Sequence, residues 1–172
     1  MLNKLLFVTA IVGIVIFLYF FYLAKKSQSG TSLGLNNNVL YHCTDKPNCV
    51  CSEDETDKAH FIEPYFYQFL IQSENKRKKE SQIIWQTLLI TLKQHGAQIE
   101  FKSDTYLSAT FRSGFFGFVD DFEARLDEAN ATLHFRSASR VGTSDLGVNR
   151  KRVKAIIGLL EDNLQKVKRI KS

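Results

Sequence analysis

No charged side chain occurs between Leu5 and Ala24, a run that reads LLFVTAIVGIVIFLYFFYLA. That absence excludes an amphipathic surface helix, because no face of the run is polar. It also argues against a buried core helix, since apolar residues cover every side. At 1.5 Å per residue, about twenty residues match a hydrocarbon layer of about 30 Å. Backbone amides cannot go unpaired in lipid, so such a run is a helix there. A cleaved signal peptide would have a shorter apolar region ending at small residues, and FYLAKKSQSG offers a poor cleavage site. Residues 1–26 are therefore expected to be an uncleaved single-pass anchor. Lys4 precedes the span while Lys25 and Lys26 follow it, so the distribution of basic residues leaves the orientation open.

Other signals are missing too. There is no G-x-S-x-G elbow and no phosphate-cradling G-x-x-x-x-G-K-[ST] loop. SENK, residues 73–76, matches S-x-x-K in letters only, because a hydrated lysine in a charged linker keeps an ordinary pKa and is no base. No internal repeat is visible. The chain has only three cysteines, Cys43, Cys49 and Cys51, spaced C-x5-C-x-C without a second pair. A structural zinc site needs four convergent soft ligands, and neither this spacing nor the nearby His42 and His60 provides them. The preferred reading is a disulfide between Cys43 and Cys49 across the Pro47 turn, with Cys51 left as a free thiol or alternative partner. Disulfides persist outside the cytosol, which favours an extracytoplasmic, periplasmic domain. No metal, cofactor or catalytic residue is assigned.

What remains suits one ordinary domain. Residues 27–39, rich in Ser, Gly and Asn, read as a flexible tether, and residues 40–172 as an α+β domain. Residues 61–72 form a short apolar element that Pro64 interrupts. The charged run SENKRKKE is expected to be an exposed loop. It leads to a helix from Ser81 to His95, with Ile84, Leu88 and Leu92 as its stripe and Gly96 as its stop. Ala97–Phe101 reads as a strand. In Tyr106–Arg112, Leu107, Ala109 and Phe111 alternate with Tyr106, Ser108 and Thr110. In the next strand Phe118, Phe122, Ala124 and Leu126 share one face, with Asp121, Glu123 and Arg125 opposite. After the DEANA turn, Leu133 and Phe135 oppose His134, Arg136 and Arg140. A last helix is expected from about Ser144, with Leu146, Val153, Ile157, Leu160, Leu164 and Val167 as its apolar stripe. Helix, antiparallel meander and helix define a two-layer domain, a sheet packed with two helices.

The net charge of +5 is spread over ENKRKKE, NRKRVK and KVKRIK. Such runs are solvated faces that gain from an anionic membrane surface. Nucleic acid is not expected as a partner, because the aromatics sit in apolar strand patterns rather than among the basic residues.

Two blocks carry a resemblance. PNCVCS (47–52) with FIEP (61–64), and GFVDDFEARLD (117–127) followed by RSASRVGTSDLGVNRKRV (136–153), are similar to a widespread bacterial and plastid family known as domain-of-unknown-function family 1499. The resemblance covers about residue 40 to the end. It implies a small α+β domain, often behind a signal or anchor segment, and supplies no activity. Cys51 stands where serine is usual, and ENKRKKE resembles a local insertion.

The polar stretch from Arg136 to Arg152 is the candidate site. Asp121 and Glu123 share a sheet face with Arg136 and Arg140, so either register sets a carboxylate opposite Arg136. Asp120 and Ser137 point with the apolar residues, where each needs a hydrogen-bond partner. Two readings follow. In the first, Asp145 caps the last helix and the arginines neutralise the carboxylates, a salt-bridged joint between strand and helix. In the second, Ser139, Arg140 and Arg150 converge on the open amides of Ser144–Gly147, with Asn149 close by, as an anion pocket. The joint is preferred, because arginines and carboxylates nearly balance. The functional expectation is a membrane-anchored binding or scaffolding domain of the cell envelope that meets an anionic envelope ligand or another envelope protein. The alternative is an envelope enzyme acting on an anionic substrate through the arginines.

Overall fold

In a computed structural model that describes residues 2–68 and 74–171, the chain begins with a long helix, α1 (Leu2–Gln28). Two short strands, β1 (Leu35–Asn36) and β2 (Val39–Leu40), pair as a small hairpin. The domain then runs β3 (Cys49–Cys51), β4 (Tyr65–Phe66), α2 (Glu74–Gln94), β5 (Gln98–Lys102), β6 (Tyr106–Arg112), β7 (Val119–Asp127), β8 (Thr132–Ser139) and α3 (Val148–Lys171). The strands β5 to β8 form an antiparallel meander. β3 and β4 both pair with the outer edge of β8, giving the order β3-β8-β7-β6-β5 with β4 beside β3 on β8. This is the α+β architecture that the alternation and the helical stripes imply.

The period-two pattern sorts the side chains. Leu107, Ala109, Phe111, Phe122, Ala124, Leu126, Leu133 and Phe135 form one sheet face, buried against Trp85, Leu88 and Leu92 of α2 and Val153, Ile156 and Leu160 of α3. Trp85 is fully buried and donates its indole N–H to the Ser103 carbonyl (3.1 Å), so its one polar atom is satisfied. Burying side chains of this size contributes about 1.5–3 kcal/mol each, which is what holds two helices on one sheet.

Several boundaries differ from expectation. The run ENKRKK is the first part of α2 and not a loop, since Glu, Lys and Arg are good helix formers and the helix extends back to Glu74. Residues 69–72 of the Phe61–Gln72 element, and Ser73, lie outside the described residues. Leu146 is not part of the last apolar stripe: it is 88% exposed, with φ of 55°, because α3 starts at Val148. Ile156, rather than Ile157, sits with Val153 and Leu160 at full burial. Phe118 precedes β7 and turns towards α1, where its ring lies 6.4 Å from that of Phe20.

The other sheet face is covered by the chain that leads away from α1. Leu40, with Leu35, packs on Tyr106 and Cys51. Ser27 is fully buried, and its hydroxyl accepts the Val119 amide (3.0 Å). Residues 27–39, expected as a tether, thus lie down on the sheet together with Leu40. At the edge, Cys43 and Cys49 form a disulfide, with α-carbons 5.7 Å apart, while Cys51 is a buried free thiol. Burial raises the Cys51 pKa above the ordinary thiol value, so little thiolate exists at neutral pH.

A thiol count checks this arrangement. Alkylation of the folded, unreduced full chain is expected to add no label, and unfolding without reductant to add one, at Cys51. Reduction should then expose all three cysteines. Three reactive thiols before reduction would contradict the bridge.

Candidate functional site

Strand register brings the charged residues of the second sheet face together. Glu123 lies directly opposite Arg136 on β8. Its carboxylate is fully buried and receives three donors: Arg136 Nη1 at 2.9 Å, the Tyr106 hydroxyl at 2.7 Å and the Gly34 amide at 2.8 Å. Burial and the bond to Glu123 both push the Tyr106 pKa far above the ordinary phenol value, so that hydroxyl stays a donor. Two residues along, Asp121 takes a forked pair from Arg140, Nε at 3.0 Å and Nη2 at 2.7 Å, plus the Ser32 hydroxyl at 3.1 Å. Arg140 also donates through Nη1 to the Ser27 carbonyl at 3.1 Å, at the end of α1. Gly30 makes room for it, as a Cβ there would lie 2.9 Å from Arg140 Cδ. Arg125, next along the face, donates its Nε to Glu53 at 2.7 Å, and Glu53 also accepts the Leu40 amide.

A second cluster lies on the helix side of the sheet. Asp120 receives Arg152 Nη2 at 2.7 Å, and the guanidinium stacks 4.7 Å over the Phe111 ring. Arg152 also bonds the Asn149 side-chain oxygen (2.5 Å) and the Ser137 hydroxyl (3.2 Å), while Ser137 donates to Asn149 (2.6 Å). The Asn149 amide nitrogen reaches the Asn48 carbonyl at 2.9 Å and the Ser139 hydroxyl at 3.0 Å. Residues from PNCVCS, RSASR and NRKRV thus meet at one buried asparagine, Asn149, which is fully buried.

The opening of α3 is closed by its own chain. Asp145 accepts the Gly147 amide (2.9 Å) and the Asn149 amide (2.7 Å). Ser139, Arg140 and Arg150 do not converge there. Arg140 lies on the α1 side of the sheet, Ser139 bonds Asn149, and Arg150 donates to the Phe61 (2.6 Å) and Ala59 (2.8 Å) carbonyls. The nine candidate residues therefore divide into two clusters on opposite sheet faces, a helix cap and a loop clamp.

Sequence reasoning missed several members. Asn48 and Arg152 lay inside the quoted motifs, so their place was visible but their partners were not. Glu53, Ser27 and Ser32 gave no signal, since a loop glutamate and two serines in a Ser-rich segment carry no periodicity.

Ser52, His134 and Glu53 are the nearest approach to a catalytic set. Both Ser52 Oγ (3.4 Å) and Glu53 Oε1 (3.7 Å) face the same ring nitrogen, Nδ1 of His134. A triad needs them on opposite nitrogens, so that the base can pass a proton while the acid orients it. Ser52 Oγ is moreover buried and already accepts the Phe135 amide at 2.8 Å. His60 is similarly spent, its Nδ1 on Asp57 (2.6 Å) and its Nε2 on the Lys46 carbonyl (3.1 Å). Among the described residues no three His, Cys, Asp or Glu side chains group as metal ligands. An open cleft of about 490 Å³ lies between the 28–34 segment and β5–β6, lined by Thr31, Glu100, Ser108, Thr110, Arg112 and Arg140 among others.

The chain belongs to the family described as a protein of unknown function (DUF1499), whose model matches residues 39–160. That span holds both charge clusters, the disulfide and most of α3, and leaves α1 outside. No curated protein and no solved structure matches the chain.

Two outcomes are expected. Arg136→Ala strands a buried carboxylate and should cost about 3–5 kcal/mol, with Arg140→Ala and Asp121→Ala somewhat milder because their pair is partly exposed. The double change Glu123→Ala with Arg136→Ala should cost less than the sum of the singles, read from melting curves. The second concerns His134, whose pKa burial pulls below its ordinary value against the opposing pull of Glu53. An unfolded histidine gains its proton near pH 6.5 while the folded one does not, so this contribution is present above about pH 6.5 and lost as pH falls. The melting temperature should fall on going from neutral to mildly acidic pH, with a shallower slope in His134→Gln.

Proposed function

We propose that the protein is a membrane-anchored cell-envelope protein whose domain, on the extracytoplasmic side, works as a binding or scaffolding module. One observation carries the reading. Arg125, Arg136, Arg140 and Arg152 each hold a carboxylate, Glu53, Glu123, Asp121 and Asp120 respectively. Guanidiniums already neutralised in this way knit strand, tether and helix together, as a structural joint does, and leave little positive charge for an incoming anion. The anchor is supported by α1, long and apolar enough to cross a membrane, with none of its 18-residue apolar window buried in the protein. The helix runs without a break through Ala24 to the buried Ser27, which favours a retained segment over a cleaved one. The disulfide favours an oxidising compartment.

A second reading, an envelope enzyme acting on an anionic substrate, draws on the open cleft. Arg112 at its rim is exposed and in no ion pair among the described residues. It lacks an activated nucleophile beside it.

Melting curves of the full chain in detergent separate the two. Phosphate or sulfate should leave the transition unchanged in the wild type. Stabilisation by anion that disappears in Arg112→Ala or Arg140→Ala would transfer the assignment to the anion-binding reading. A topology reporter fused after the last residue should be active only outside the cytoplasm, and activity restricted to the cytosol would refute the placement.

A further inference from the structure

The turn joining β6 to β7, residues 113–118, reads SGFFGF and carries three phenylalanines. It does not pack into the domain core. Phe115 is 83% exposed, a large side chain facing outward with no polar atom to justify it. Phe116 lies instead along α1, its ring stacked 5.5 Å from Phe20 and 5.8 Å from Phe17. Phe118 meets Phe20 as well, at 6.4 Å, and Phe115 sits edge-on to Phe116 at 4.7 Å. The base of the turn is tied to the end of the helix, where Gln28 Nε2 reaches the Gly117 carbonyl (3.3 Å) and Ser27 Oγ takes the Val119 amide (3.0 Å).

These contacts fix a depth. Phe20 and Phe17 precede Ala24, the last residue of the charge-free run, by four and seven positions. At the helical rise they lie about 6 to 10 Å along the axis inside that boundary. Whatever surrounds α1 there also surrounds the ring of Phe116 and the neighbouring Phe115. Lys25 and Lys26 mark the polar side of the same boundary. Within the turn, the Ser113 amide donates to the Phe118 carbonyl (2.9 Å) and the Phe118 amide to Ser113 Oγ (3.0 Å). Its backbone thus carries internal bonds that lower the cost of sitting at the headgroup level.

We propose that this turn is a second membrane contact, with the rings of Phe115 and Phe116 inserted among the acyl chains beside α1. The proposal rests on the reading of α1 as a membrane span. It makes the membrane attachment bipartite, a spanning helix plus an aromatic loop at the interface, where aromatic rings are favoured. The occupant of this exposed apolar surface is lipid, because the surface is continuous with that of α1.

Fluorescence of the full chain in phosphatidylcholine nanodiscs tests it. Phe115→Trp is compared in discs with and without phospholipid brominated on the acyl chain, with wild-type Trp85, fully buried in the core, as the internal reference. Phe17→Trp reports on α1 itself. Lipid bromine is expected to quench the tryptophan at 115, blue-shifted relative to water, and the tryptophan at 17, while Trp85 emission stays unchanged. Quenching at 17 without quenching at 115, with position 115 open to aqueous iodide, would overturn the inserted turn and leave the span intact. Absence of quenching at both positions would refute the span and the inserted turn together. A Phe116→Ser variant adds a check independent of the probe: it should make the tryptophan at 115 more accessible to iodide, and no change would also count against insertion.

Discussion

A carboxylate with no exposure to water has to be matched by donors, and Glu123 sets that demand at the centre of the sheet's second face. Its three donors come from three different parts of the chain: Arg136 on β8, Tyr106 on β6 and the Gly34 amide in the segment after α1. Satisfying one charge therefore fixes the meander register and draws the 27–40 segment over the sheet. Asp121 and Arg140 repeat the arrangement closer to α1, where the same guanidinium also holds the end of that helix. Replacing such pairs by apolar residues can be neutral in stability, so their worth here lies in placing elements rather than in net free energy.

The two sheet faces solve the same problem by different means. Towards α2 and α3 the sheet buries large apolar side chains, and the polar exceptions, Asp120 and Ser137, are gathered by Arg152 and Asn149 from α3. Among the described residues the opposite face has no covering helix pair. There, ion pairs, a few tether residues and the disulfide-bonded edge provide the cover. The polar residues of the stretches 47–64 and 117–153 divide between the two faces, Asn48 and Asn149 on one side and Glu123 and Arg136 on the other.

Much of the domain was legible because period two is a strong signal. Alternation in Tyr106–Arg112 and Phe122–Leu126 gave the correct faces, and with them the opposition of Arg136 to a carboxylate. Helix ends were harder to read. The charged start of α2 carries no apolar period, so composition could not separate helix from loop. The last helix begins at Val148, four residues later than Ser144 implied, because Leu146 and Gly147 both adopt left-handed φ. Long-range partners were illegible in principle. Nothing local marks Glu53 as the mate of Arg125, separated by 72 positions, or Ser27 as the acceptor of Arg140.

The way residues 27–40 lie against the sheet changes what the domain can reach. A free leash of thirteen Ser- and Gly-rich residues would let the domain roam over a root-mean-square radius of about 20 Å. With Ser27, Ser32 and Gly34 each bonded to the sheet, that radius of search collapses. The sheet is then held at one distance and heading from the end of α1.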